Sequence, residues 1–191
     1  MSSRSGELLD QGLDFLTTVI TRLSEDDWER ATPCAGWTAR DVLGHLATTM
    51  GVGISVMQGR QPTWPDAARP AELVEGDPVA FWRGTVVQAR DVLRTADLAR
   101  VMETPLGRTV ADDLSIPVID LYVHAWDLGV AAGIAVEIPA DVIDYAHAYI
   151  DPLPDEMIRG ANRAFGPQIH LPASATPTER FIAWTGRRPP Q

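Results

Sequence analysis

Apolar side chains recur at steps of three and four along several stretches of this chain, the spacing that gathers them on one face of a helix. Between Glu7 and Leu23, the positions Leu9, Leu13, Leu16, Ile20 and Leu23 predict a first amphipathic helix of about five turns. The turn-rich Thr32-Pro-Cys-Ala-Gly-Trp37 then hands over to Thr38, a natural N-cap, with Asp41 three residues later completing a capping box. A second helix therefore opens at Ala39. It buries Val42, Leu43, Leu46 and Met50, and it carries His45 either into the bundle interior or to its edge. After Gly59 a Pro-rich run from Arg60 to Asp66 has no helical period and reads as a long loop. Asp77-Pro78, a cap followed by proline at the first helical position, starts a third helix to about Thr95, with Val79, Trp82, Val86, Ala89 and Leu93 facing inward. Val101 to Gly107 reads as a short extended piece with a turn.

Pro117 is compatible with a helix only in its first turn, so the fourth long helix starts at about Ser115; it runs to Ala132 and stops at Gly133. Pro139-Ala-Asp opens a further helix through Ile150. Beyond it, closely spaced prolines and glycines predict short helical pieces and, over 166–191, an irregular tail packed on a single domain.

The fourth helix carries the chemistry. Asp120 and His124 stand four apart and leave one face of it, close enough to grip a common ion. Asp127, three residues further, is placed to join as a ligand, to orient His124 from outside the ligand set, or to meet solvent. Cys34 has no base beside it in sequence and reads as a small buried residue; Trp37 and Trp126 read as helix-end packing, and His147 and His170 as structural. Arg40, one turn before His45, serves the helix start or meets an anionic substrate.

Composition narrows the class. With 45% hydrophobic and 22% charged residues, the 191-residue chain has the makeup of a folded domain rather than a disordered segment. A formal net charge of -10 and scattered arginines exclude a nucleic-acid surface and disfavour anionic membrane. No run approaches the roughly twenty apolar residues of a spanning helix, and Met1-Ser-Ser-Arg-Ser-Gly6 lacks a signal-peptide core, so the expected location is the cytoplasm. A single cysteine rules out an internal disulfide and a cysteine-based zinc knuckle.

Two segments together resemble a known family: Pro33-Cys-Ala-Gly-Trp-Thr-Ala-Arg-Asp-Val-Leu-Gly-His45, and, some eighty residues later, Val123-His-Ala-Trp-Asp-Leu128 followed by Ala132-Gly133. They are similar to the actinobacterial branch of the DinB/YfiT-like superfamily, related to the metal-binding N-terminal domain of the mycothiol-dependent maleylpyruvate isomerases. The tail, with Phe165-Gly-Pro167, Leu171-Pro-Ala-Ser174, Arg180-Phe-Ile182 and Gly186-Arg-Arg-Pro189, resembles the closing motif of a single-domain subgroup. The resemblance implies an all-α four-helix bundle with up-down-down-up wiring and added short C-terminal helices. It also implies a divalent metal held by three side chains at one end, falling here on His45, Asp120 and His124. At the middle position the isomerases carry glutamate. Aspartate is one methylene shorter, so Asp120 draws its helix closer, binds through water, or leaves the site with two histidines.

Two histidines and a carboxylate leave open positions on an ion, as a catalytic site requires. Such a site acidifies a low-molecular-weight thiol or a water alike. The expected function is therefore a metal-dependent enzyme that activates a thiol of the mycothiol type, as an S-transferase or isomerase acting on a small-molecule substrate. The isomerases have a separate C-terminal domain that supplies part of their site, and this chain is too short to contain it, so maleylpyruvate isomerisation itself is not expected. The alternatives are a non-catalytic small-molecule or partner-binding bundle with a vestigial site, or a metal-dependent hydrolase. Imidazole with carboxylate suits zinc first, and also nickel, iron or manganese. A monomer and a homodimer are both compatible with the sequence, and the loop from Gly59 to Gly76 is where substrate determinants are expected.

Overall fold

A computed structural model describes residues 3–63, 65, 67–103, 107–160 and 164–190. Trp64 and Asp66 of the Pro-rich loop, and residues 104–106 of the expected extended piece, lie outside the described residues. The contacts within the chain gather into two compact units, 1–134 and 135–191.

The first unit contains α1 (Arg4–Ile20), α2 (Ala39–Met57), α3 (Pro78–Leu93), the single turn α4 (Val110–Asp113) and α5 (Ser115–Ala132). Helix α1 starts a turn earlier than its apolar stripe because the Ser3 hydroxyl accepts the Gly6 N–H at 3.2 Å. It ends at Ile20, and the chain reforms as a 3₁₀ turn, Glu25–Glu29. Thr38 and Asp41 close the expected capping box on α2, and Asp77 caps α3, whose last helical residue is Leu93. Helix α5 begins at Ser115 with Pro117 in its first turn, and it ends where Gly133 adopts the left-handed conformation at φ 70°. Most of its circumference is buried, so it is the central helix of the unit. Val101 bridges to Thr109, and Met102 N–H donates to Arg108 O at 2.8 Å, so the start of the expected extended piece pairs with the two residues just past its end.

Cross-helix contacts set the wiring. Arg90, late in α3, pairs with Asp10 and Asp14 in the middle of α1, whereas Trp82 Nε1–H, early in α3, donates to Thr17 near the end of α1; these two helices are antiparallel. Arg40 at the start of α2 donates to Val74 O just before α3, and Arg100 beyond α3 donates to Val56 O at the end of α2, so α2 and α3 run parallel. His45 faces Asp120 while Gly53 faces Leu114 and Pro117, which makes α2 and α5 antiparallel. The four long helices are thus wired up-down-down-up, and the parallel α2–α3 pair requires the long crossover 58–77.

That crossover lands on α2 through Asp41. Its fully buried carboxylate accepts the Thr38 N–H and hydroxyl, each at 2.9 Å, and the Ala71 N–H at 3.2 Å, and it pairs with Arg69. Burial alone would raise the pKa of this carboxyl, but these hydrogen bonds outweigh it and hold the group below the ordinary carboxylate value of 3.8. A depressed folded-state pKa contributes stability that is complete above the unfolded value and is lost as pH falls through the folded one. Asp41→Asn should therefore be less stable than wild type at neutral pH, with the gap closing below about pH 4. Melting temperatures measured across that range decide it; a gap independent of pH would remove Asp41 from the acid limb.

The second unit holds α6 (Ala140–Ile150), the single turn α7 (Asp155–Ile158) and α8 (Pro177–Trp184). Part of the stretch read as irregular tail is therefore helical, because Thr176 and Glu179 form a capping box that starts α8, with Pro177 at the first helical position. Among the described residues no helix is long and apolar enough to cross a membrane, and β structure is limited to isolated bridges.

Candidate metal centre

Helices α2 and α5 bring His45, Asp120 and His124 together. Each offers a ligand atom, and these atoms all lie within 4.8 Å of one another. His45 Nε2 is 3.5 Å from Asp120 Oδ2, and the two imidazoles meet edge to face with centroids 4.9 Å apart. Burial is graded across the cluster. The His45 and Asp120 side chains are 28% and 21% exposed, whereas His124 is 6% exposed, so the first two form the mouth and His124 the floor.

Behind the floor stands Asp127. One turn along α5 and fully buried, it accepts the His124 Nδ1–H on Oδ2 at 2.8 Å, which leaves the Nε2 lone pair available on the other side of the ring. Burial, with a smaller push from His45, lowers the His124 pKa below 6.5 against the opposing pull of Asp127 and Asp120. The ring is thus held neutral near pH 7, the state in which imidazole ligates metal.

Two neighbours were not legible as site residues. Trp37 lies against His45, ring centroids 5.1 Å apart, in addition to preceding the cap of α2. Cys34, expected to be a small buried residue with no base nearby, is only part-buried, and its Sγ–H donates to Asp127 Oδ2 at 3.3 Å. The turn itself explains this. Thr32 N–H donates to Trp37 O at 2.9 Å and Cys34 N–H to the Thr32 hydroxyl at 3.2 Å, a closed loop that aims position 34 at α5. The tight run Thr32-Pro-Cys-Ala-Gly-Trp37 just before the His45 helix was the signal available; the partner, ninety-three residues away, was not.

Arg40, His147 and His170 are not members of this cluster. Arg40 is spent on Val74 O and Gly76 O. His147 pairs with Asp151 at 3.2 Å and packs on Trp184 in the second unit, and His170 is exposed.

A four-helix bundle with imidazoles and carboxylates converging between α2 and α5 defines a class of helical domain with a candidate ion-binding centre. The chain belongs to the mycothiol maleylpyruvate isomerase N-terminal domain family, whose model matches residues 9–129. It is similar to uncharacterized proteins of two Mycobacterium tuberculosis strains, each 24% identical over 178 residues that cover 91% of this chain and 92% of theirs. Its fold is similar to the crystal structure of the mycothiol-dependent maleylpyruvate isomerase, with a TM-score of 0.57 at 15% identity over 74% of this chain. A histidine-to-alanine variant of that enzyme matches with a TM-score of 0.60 at 14% identity. The chain spans 65% of the length of these solved isomerases.

Proposed function

We propose that this protein is a metal-dependent enzyme that activates a low-molecular-weight thiol, of the mycothiol type, for transfer or isomerisation of a small-molecule substrate. One observation carries the reading: His45, Asp120 and His124 converge within 4.8 Å, and the innermost of them is oriented by a buried carboxylate hydrogen-bonded to its far edge. The family name and the fold of the solved isomerases supply the thiol half of the proposal.

The donor set fits a divalent cation. Two imidazole nitrogens and one carboxylate oxygen suit zinc, nickel, iron or manganese and leave coordination positions open. When bound, such an ion supplies Lewis acidity that favours the thiolate of a ligand thiol. The rest is done by the chain. Asp127 fixes the tautomer and ring plane of His124, so that Nε2 faces the mouth. His45 is steadied by Trp37 on the turn before α2. The spacing of 3.5 Å between His45 and Asp120 supports a direct role for Asp120 despite its missing methylene. The part-open mouth gives thiol and substrate their route to the ion.

The test is metal analysis of protein purified without a histidine tag, with Cys34→Ser present throughout so that the thiol takes no part. Near-stoichiometric divalent metal is expected, lost in His45→Ala and His124→Ala and retained in His147→Ala. Asp127→Asn should weaken metal affinity about 10–100-fold while leaving the three ligands in place. A folded protein that stays metal-free after reconstitution would overturn the site and leave a non-catalytic binding bundle. For the thiol, conjugation of an electrophile is compared with mycothiol, bacillithiol and glutathione. Metal-loaded protein that turns over none of them would redirect the activity toward hydrolysis.

A further inference from the structure

The opposite edge of His124 faces a second set of donors. Cys34 Sγ, Asp127 Oδ2 and His124 Nδ1 are separated by 3.3 Å (sulfur to carboxylate), 2.8 Å (carboxylate to imidazole) and 3.9 Å (sulfur to imidazole). Donors placed tetrahedrally around zinc, with bonds of 2.0–2.3 Å, stand roughly 3.3–3.6 Å apart. The three atoms would therefore need to shift by only about half an ångström to share one ion. Their chemistry differs from that of the first cluster, because a thiolate selects for soft, thiophilic cations where a set without sulfur does not.

We infer that Cys34, Asp127 and His124 form a second cation position, for a thiophilic d¹⁰ ion such as cadmium or zinc, on the Nδ1 side of the same histidine whose Nε2 side faces His45 and Asp120. Binding is balanced as follows. The Cys34 thiol releases its proton to solvent and ligates as thiolate. The His124 proton leaves Nδ1 while one is taken up at Nε2, so the imidazole stays neutral. Asp127 exchanges the two hydrogen bonds it accepts for a bond to the ion. With Nε2 protonated, His124 has no lone pair for an ion at the mouth, so the two positions compete. That competition rests on the function proposed above; the Cys34 position itself does not.

Cadmium alone is the probe, and the thiolate-to-cadmium charge-transfer absorption in the ultraviolet is the readout. In His45→Ala, which dismantles the first cluster and leaves the second intact, one cadmium per chain is expected with the full absorption band. Cys34→Ser in that background should abolish the band, and Asp127→Asn should weaken cadmium affinity at least about tenfold. Circular dichroism confirms that each variant is folded before titration. A folded His45→Ala protein with no band, or a band whose midpoint is unchanged in Asp127→Asn, would overturn the inference, the latter by showing a thiol that acts alone. Because the His45→Ala background lacks the first cluster, failure of the mouth site as a metal centre leaves this result readable.

Discussion

Gly44→Ala should cost the first unit about 2–3 kcal/mol, although alanine is the better helix former by roughly 1 kcal/mol. A Cβ on residue 44 would lie 1.9 Å from the Pro70 carbonyl oxygen and 2.4 Å from its carbon. Both atoms are backbone, so no side-chain rotation relieves the overlap. The segment that carries them is held down on α2 by Asp41, Arg69 and Arg40. Either α2 or the crossover must move, and residue 44 immediately precedes His45, so the displacement reaches the mouth of the site. Gly51→Ala, on the same helix with nothing within 4 Å of the added carbon, supplies the control and should gain about 0.5–1 kcal/mol. Urea unfolding of the two variants gives opposite signs if the close approach is real. A Gly44→Ala protein as stable as Gly51→Ala would refute it.

Trp82→Ala is expected to be the more damaging change, at about 3–5 kcal/mol. The indole is fully buried between α3 and α1, and its Nε1–H donates to the Thr17 hydroxyl at 2.9 Å, which in turn donates to Leu13 O at 2.6 Å. Truncation removes the largest fully buried side chain among the described residues and leaves a cavity that rigid helices cannot close. In a protein of this size the loss corresponds to roughly 6–20 °C in melting temperature. Trp82→Phe should retain most of the packing. Equal melting temperatures for the Ala variant and wild type would show that the α1–α3 seam adjusts to the void.

The helices were readable because each is announced by local chemistry. Thr38 with Asp41, Asp77 with Pro78, and Gly133 after Ala132 are caps whose partners lie within a turn, so a single segment contains the whole reason for the boundary. Asp120 and His124 were readable for the same reason, since four residues on one helix fix their relation. His45 and Cys34 stand differently. Periodicity left His45 open between interior and edge, and only the family resemblance joined it to α5. Nothing near Cys34 in sequence marks Asp127 as its partner; that contact exists only once the turn 31–38 has closed and α2 has packed beside α5. The short helix over residues 177–184 is one of the C-terminal helical pieces the resemblance implies, and its boundary too is local: Thr176 caps it and Pro177 stands at its first position, where proline starts a helix.

The pinning of the long crossover bears on how such proteins can diversify. Because Pro70 and Ala71 are moored to α2 at Gly44 and Asp41, extra residues inserted upstream of Arg69 would lengthen a slack tether without shifting its mooring point. Doubling such a tether costs only about 0.6 kcal/mol. New molecular recognition can therefore be grafted beside the histidines by loop growth alone, while the scaffold that aims them stays as it is.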